Sequence, residues 1–329
     1  MSVPRLERAV IEVAGGCNYT CQMCPQTTGR GKEWTRKMSL DMFIEILDQL
    51  PGKPVINLEG SGEPTLAKDL PLYIEECTRR NFPSFMYTNG SRLSGQYMKD
   101  CVDAGIDFIR LSCIGYNRQK YQEWMDVDNF ELLIANAQEI QSYIKSSESN
   151  CVLSSYHLIF DNSQIDYEVG QYRKNFVNVV NSVSYIWKMH NWSGNYQPIY
   201  VRDTDKRRTC GRPFAPEITI RAGGNDGKKG AVTPCCQTMG PPNESKSVLG
   251  HVEDQSIEEI WDGELYTRLR EAHANKDFDS IDYCKNCDFL YEDPEVLVWS
   301  NDSEASTDYM LGTNFSLNDF KVEINDKKL

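Results

Sequence analysis

Three cysteines crowd the segment AGGCNYTCQMCPQTTGR, residues 14–30. Cys17, Cys21 and Cys24 fall within eight positions, with no fourth cysteine near them. Soft thiolates select zinc, copper(I) or iron-sulfur clusters. Structural zinc is usually closed by four protein ligands, whereas three sulfurs leave one metal atom open to another molecule, which suits a cofactor-binding cluster. A second set lies beyond residue 200: Cys210, the adjacent pair Cys235 and Cys236, and Cys284 with Cys287 in CKNC. Cys-x2-Cys is a spacing at which two sulfurs reach one metal or cluster. With Cys210 and one member of the adjacent pair it makes four ligands, enough for a cluster or a zinc ribbon.

Cys17-x3-Cys21-x2-Cys24, opened by CN and closed by MCP, resembles the signature of the radical S-adenosylmethionine (radical SAM) enzymes. The resemblance implies a 4Fe-4S cluster on these cysteines, with its fourth iron chelated by the amino and carboxylate groups of SAM. NLEGSGEPTL, residues 57–66, is similar to the family's Gly-Gly-Glu-Pro segment. Gly62, Glu63 and Pro64 are in register, and Ser61 stands where the first glycine usually does. Glu63 would then accept the SAM ammonium, a charge-assisted bond. YTNGS (87–91), which carries Asn89, and IRLSCIG (109–115), which carries Ser112, resemble the next two strand ends of the family. Ser112 would lie near the SAM ribose or carboxylate. Met23 departs mildly from an often aromatic position whose backbone meets the adenine, since Met is apolar and adaptable.

KKGAVTPCC places Gly230 five residues before Cys235, and VLGHVEDQSIEEIWDGELYTRLR precedes YCKNCDF. This order resembles the SPASM/twitch region that follows many radical SAM cores. The resemblance implies one auxiliary 4Fe-4S cluster on Cys210, Cys235, Cys284 and Cys287. Cys236 is then spare: it replaces Cys235, packs as a small apolar side chain, or donates hydrogen to substrate. Cys77, Cys101, Cys113 and Cys151 fall on helix or strand faces as core residues. His157 is a candidate to face the adenosyl site, and His190, Trp192, Tyr116, Arg118 and Arg202 are candidates for substrate contact.

These loops need a scaffold, and the first half of the chain supplies one. AVIEV (9–13) reads as a strand, and SLDMFIEILDQL then puts Leu40, Phe43, Ile44 and Leu47 at helical spacing behind Ser39 as N-cap. VINL (55–58) precedes a helix carrying Leu70, Tyr73, Ile74 and Cys77. SFMYT (84–88) precedes a helix near 94–104, and FIRLS (108–112) precedes one or two helices between 117 and 145. Strands over 151–160 and 180–187 complete about six repeats. Six such units make an α/β fold whose parallel sheet is either a partial barrel or an open doubly wound sheet. The resemblance implies the first, a partial (β/α)6 barrel of the radical SAM type with a small C-terminal SPASM/twitch-like iron-sulfur module. In either sheet the cysteine loop sits at the carboxyl end, where such folds place their chemistry. Composition shifts divide the chain into a core over 1–195, a module over 196–291 and an acidic tail over 292–329.

The net charge of -13 opposes the phosphate contacts of nucleic-acid binding. No window approaches the roughly 20 apolar residues of a membrane span, and MSVPRLERAVIEVAGG has no apolar signal core. A cytoplasmic protein is expected, in which twelve cysteines argue for metal or redox chemistry over disulfides. The resemblance then implies reductive cleavage of SAM to a 5'-deoxyadenosyl radical that takes hydrogen from a small substrate, with the electron from a flavodoxin- or ferredoxin-like reductant. An auxiliary cluster that accepts an electron yields a dehydrogenated product; a thiol such as Cys236 that returns hydrogen yields an epimer. A first strand by residue 9, with no leader-binding domain before it, and a single-cluster tail favour a sugar or cyclitol. A peptide or protein maturase is the alternative. A non-catalytic iron-sulfur or zinc protein explains the cysteines but leaves the Gly-Glu-Pro turn without purpose.

Overall fold

The computed structural model describes residues 6–28, 36–160, 162–176, 179, 183–194, 196, 206–223, 227–238, 245–291 and 296–300. Strand β1 (Arg8–Ile11) leads through the cysteine loop and a turn of helix, α1 (Pro25–Thr28), to α2 (Leu40–Gln49). The repeats continue as β2 (Val55–Asn57), α3 (Leu70–Arg79), β3 (Ser84–Thr88), α4 (Gly95–Asp103) and β4 (Phe108–Ser112). Two helices follow, α5 (Arg118–Met125) and α6 (Phe130–Ser146), then β5 (Val152–Ile159), α7 (Ile165–Phe176) and β6 (Val183–Lys188).

Local chemistry accounts for these elements. Ser39 caps α2, its Oγ accepting from the Met42 amide at 3.3 Å. The buried face of α2 is Phe43, Ile46 and Leu47; Ile46 replaces the expected Ile44 because the stripe follows Leu47 and Leu50 rather than Leu40. The segment between β4 and β5 divides at Asp126, whose left-handed backbone (φ 58°) ends α5. Cys77, Cys101, Cys113 and Cys151 pack in the core, and burial pushes each thiol up.

Strands β1 to β6 run parallel and neighbour one another in chain order. A doubly wound sheet reverses its strand order part-way. The sequential order therefore belongs to the barrel-like alternative. The sheet does not stop at the expected module boundary. Strand β7 (Glu217–Gly223) pairs in parallel with β1, aligning Arg8 with Glu217 and Ile11 with Ile220. Antiparallel β8 (Lys229–Thr233) and β9 (Gly250–His251) extend it, followed by α8 (Ile257–Trp261) and α9 (Glu264–Ala274). At the other edge β10 (Val296–Ser300), inside the expected acidic tail, pairs antiparallel with β6. Among the described residues ten strands thus form one sheet.

Ile220 is fully buried on β7. Its replacement by Ala should cost about 2 to 5 kcal/mol in chemical denaturation, and because β7 is paired to β1 the transition should stay single. Separate unfolding of the two halves would show that the shared sheet does not couple them.

Candidate active site

The Gly-Glu-Pro turn and the cysteine loop are built against each other. The Glu63 amide donates to the Gly16 carbonyl at 2.8 Å. A Cβ on Gly62 would stand 2.2 Å from the Ala14 carbonyl oxygen, so only glycine lets the turn approach. Glu63 itself is buried, and its carboxylate accepts from Thr88 Oγ1 (2.6 Å), Thr65 Oγ1 (2.7 Å), the Thr65 amide (3.1 Å) and the Asn89 amide (2.8 Å). Burial raises its pKa and these hydrogen bonds lower it, leaving a net upward shift. All four donors are neutral, so the carboxylate is oriented without being neutralised. Asn89 continues the lattice, its Nδ2 donating to Asn18 Oδ1 at 3.0 Å and lying 4.0 Å from Cys17 Sγ. Pro64 opens the buried turn beyond Glu63.

Ser61, at the position expected to hold glycine, has its own use. Its amide and hydroxyl donate to Glu12 on the β1 end, and Arg221 of β7 donates to its Oγ at 2.9 Å. The substituted position therefore ties the turn to strands from both parts of the chain.

A cavity of about 280 Å³ opens at these strand ends. Cys17, Cys21, Cys24 and Met23 line it together with Gly62, Glu63, Asn89 and Ser112. Cys21 is pushed well up by burial, then by Cys24 and Cys17. Three thiolates gathered this way repel one another unless a metal centre compensates them. His190, Trp192 and Cys236 line the same cavity, as do Arg8, Glu59, Tyr87, Arg212 and Gln237. The last five were not singled out from sequence. Charged residues at the head of β1 and the end of β2 were the available signal, since inward-facing polar positions in a strand need a reason.

Other candidates fall elsewhere. His157 is buried behind the site, its Nδ1 accepting from the Gly115 amide at 3.0 Å and its Nε2 facing Glu168 at 3.3 Å. Tyr116 packs edge-on against His157 and Tyr167. Arg118 pairs with Asp128 at 2.7 Å on the surface. None of the three lines the cavity, and Arg202 lies outside the described residues.

The second cysteine set separates into four and one. Cys284 is pushed well up by burial and then by the charges of Cys235, Cys287 and Cys210. Cys287 feels Asp288, Cys235 and Cys210 after burial. Cys235 is pushed up to about 12 by burial, against the pull of Arg212. Cys236, whose charge also raises Cys235, lines the cavity and accepts from Arg212 Nη1 at 3.4 Å. Among the described residues no trio of His, Cys, Asp or Glu is gathered at single-ion spacing. A cluster of four irons is a wider body than one tetrahedral ion, and cysteines at its corners stand further apart.

The family model for the radical SAM superfamily matches residues 11–159, and that for the SPASM iron-sulfur cluster-binding domain matches residues 227–288. The chain carries a radical SAM domain followed by a SPASM domain. It is similar to the tungsten-containing aldehyde ferredoxin oxidoreductase cofactor-modifying protein of Pyrococcus furiosus, with 23% identity over 90% of this chain and 92% of the relative. The S-adenosyl-L-methionine-dependent 2-deoxy-scyllo-inosamine dehydrogenase of Niallia circulans is 24% identical over 84% of this chain and 90% of that protein. Among solved structures, BtrN in complex with AdoMet and 2-DOIA shares the fold with a TM-score of 0.58 and 19% identity, over 86% of this chain and 93% of that one. SuiB of Streptococcus suis bound to the precursor peptide SuiA has a TM-score of 0.60 and 14% identity, over 88% of this chain and 71% of that one.

A radical SAM enzyme with a SPASM domain uses SAM, a 4Fe-4S cluster and auxiliary iron-sulfur. The donor chemistry here fits: three cavity thiols, a buried carboxylate with no ion pair among the described residues, and four partly or fully buried thiols of the second set. Anaerobically purified protein should hold about eight irons per chain. The count should fall to about four in Cys17→Ala/Cys21→Ala/Cys24→Ala and again in Cys284→Ala/Cys287→Ala. Zinc in place of half the iron would show the second set to be a ribbon.

Proposed function

We propose that the chain abstracts hydrogen from a sugar or cyclitol ring, to dehydrogenate it or to invert a carbon. The carrying observation is that the cysteine loop, the Glu63 carboxylate and the Cys236 thiol open into one cavity. The full-length likeness to a cyclitol dehydrogenase supports the substrate class. When bound, SAM and its cluster supply, on one-electron reduction, a 5'-deoxyadenosyl radical able to take hydrogen from an unactivated carbon.

The residues then divide the work. Cys17, Cys21 and Cys24 hold the first cluster; Glu63 accepts the SAM ammonium; Asn89, Ser112 and the Met23 backbone, with Gly62 and Pro64, frame the cofactor. Cys210, Cys235, Cys284 and Cys287 hold the auxiliary cluster. Tyr156, Trp192 and Phe289, which also line the cavity, exclude water. Cys236 decides the outcome. Its S–H can return a hydrogen atom to the substrate carbon, completing an inversion, and its sulfur regains hydrogen through one electron from the reductant and one proton. Without that transfer the substrate radical would give a proton to solvent and its electron to an auxiliary cluster held by Cys210, Cys235, Cys284 and Cys287, and the product would be dehydrogenated. The reductant is of flavodoxin or ferredoxin type. A chain so rich in cysteine suits a reducing cytoplasm, and among the described residues no helix is long and apolar enough to cross a membrane. A second reading, a maturase of a protein or its cofactor, is favoured by the Pyrococcus furiosus relative.

Two measurements test these assignments. Burial raises the Glu63 pKa, so SAM affinity should be full above that value and fall as pH drops through it and the carboxylate is lost. Glu63→Gln should weaken SAM binding about ten- to a hundredfold and abolish that pH dependence. In deuterated water, an inverted product should carry one solvent deuterium, and Cys236→Ala should remove the deuterated product in favour of the oxidised one. A product free of deuterium and unchanged by Cys236→Ala would mean that dehydrogenation is the native outcome.

A further inference from the structure

Three side chains lining the cavity carry a buried polar atom with no hydrogen-bond partner: Arg8 Nε, Trp192 Nε1 and Gln237 Oε1. Gln237 and Arg8 are 5% and 6% exposed. The Gln237 amide places its Nε2 3.6 Å from Cys236 Sγ, which leaves Oε1 as the atom without a partner. Such atoms are costly to bury, and three around one cavity mark where a ligand completes them.

The wall that presents them is held in place. After β6, the Asn191 amide donates to Asp288 at 2.6 Å, Asn191 Nδ2 donates to the Asn286 carbonyl at 2.7 Å, and Ser193 Oγ donates to the Tyr283 carbonyl. This clamps residues 190–194 to the CKNC turn. Trp192 is thereby kept in the left-handed region (φ 47°), a strain that a non-glycine residue adopts only when its surroundings enforce it. His190 stacks edge-on against Trp192 at 4.3 Å. Burial, then the charge of Arg212, lowers its pKa to about 3, so it presents a neutral ring.

We propose that Gln237, Trp192 and Arg8 form the substrate subsite and that it selects a polyhydroxylated ring bearing no acidic group. This rests on the enzyme reading above and names what that enzyme recognises. The argument is one of donors and acceptors. Arg8 Nε–H and Trp192 Nε1–H donate, and Gln237 Oε1 accepts. Hydroxyls do both, so neighbouring hydroxyls of one ring satisfy all three. A carboxylate or phosphate only accepts, and would leave Gln237 Oε1 against a lone pair. The cations are also engaged: Arg8 with Glu217 at 2.8 Å and Arg212 with Glu217 at 3.8 Å. An amine substituent, which only donates, suits Gln237 and the half-buried Glu59 carboxylate, which lines the same cavity.

The test is anaerobic calorimetry on iron-loaded, unreduced enzyme saturated with SAM, with three ring probes: scyllo-inositol, 2-deoxy-scyllo-inosamine and D-glucuronate. The first two should bind at least tenfold tighter than glucuronate. Gln237→Ala and Trp192→Phe should each weaken them about tenfold at wild-type iron content, Trp192→Phe standing alone if Gln237→Ala loses iron. Gln237→Glu should shift preference toward the amine about tenfold, which a merely structural role would not do. Equal or tighter binding of glucuronate, unchanged affinity in the variants, or no binding of either neutral or amino ring overturns the subsite. Deoxyadenosine release by reduced wild-type enzyme is measured alongside: release with no ring binding sinks the subsite alone, and no release sinks the enzyme reading.

Discussion

The Glu63 carboxylate is buried where three strand ends meet, and the geometry of the site follows from how it is held. Thr65, Thr88 and Asn89 fix both oxygens, and the Glu63 amide fixes the cysteine loop through Gly16. A carboxylate desolvated in this way is expensive without a positive partner. Neutral hydrogen bonds orient it but leave its charge, which is what a site needs if the partner is to be a cationic ligand. Nearby, Cys21 poses the same problem in sulfur, since burial and then the charges of Cys24 and Cys17 disfavour its thiolate. A cationic ligand at the one and a metal centre at the other would offset these charges, and the close approach at Gly62 fixes the loop that presents them.

The same turn is anchored to the C-terminal part of the chain. Ser61 Oγ sits between Glu12 and Arg221, so a hydroxyl in place of hydrogen joins β1, β7 and the loop after β2. Parallel pairing of β7 with β1 makes this junction part of the sheet. The turn proposed to face SAM and the approach to the second cysteine set are therefore aligned by backbone hydrogen bonds of one sheet.

Much of this was legible in the sequence because the information is local. Three cysteines in eight residues and a Gly-Glu-Pro turn need no distant partner to be recognised, and strand-helix alternation shows in the 3.6-residue spacing of residues such as Leu70, Tyr73, Ile74 and Cys77. What was not legible depends on contacts far apart in the chain. Pairing of β7 with β1 spans some two hundred residues, and nothing in either strand's composition announces it. Arg8 and Gln237 became site residues only once the sheet showed which positions face the cavity. His157 illustrates the converse: a histidine on the right strand turned away because Gly115 and Glu168 satisfy both ring nitrogens.

Cys235 and Cys236 show how much one residue of register carries. Their Cα atoms stand about 3.8 Å apart, as any trans-linked pair must, yet the charge of one thiol is felt by Cys284 and Cys287 and the other lines the cavity. The Cys235 carbonyl accepts from Thr238 Oγ1 at 3.0 Å, which fixes the turn that sends them apart. A slip of one residue would exchange them. Under the proposed roles the consequence is chemical: an auxiliary-cluster ligand and a hydrogen-atom donor are adjacent residues, and whether a substrate loses an electron or gains a hydrogen would be a competition across a single peptide unit.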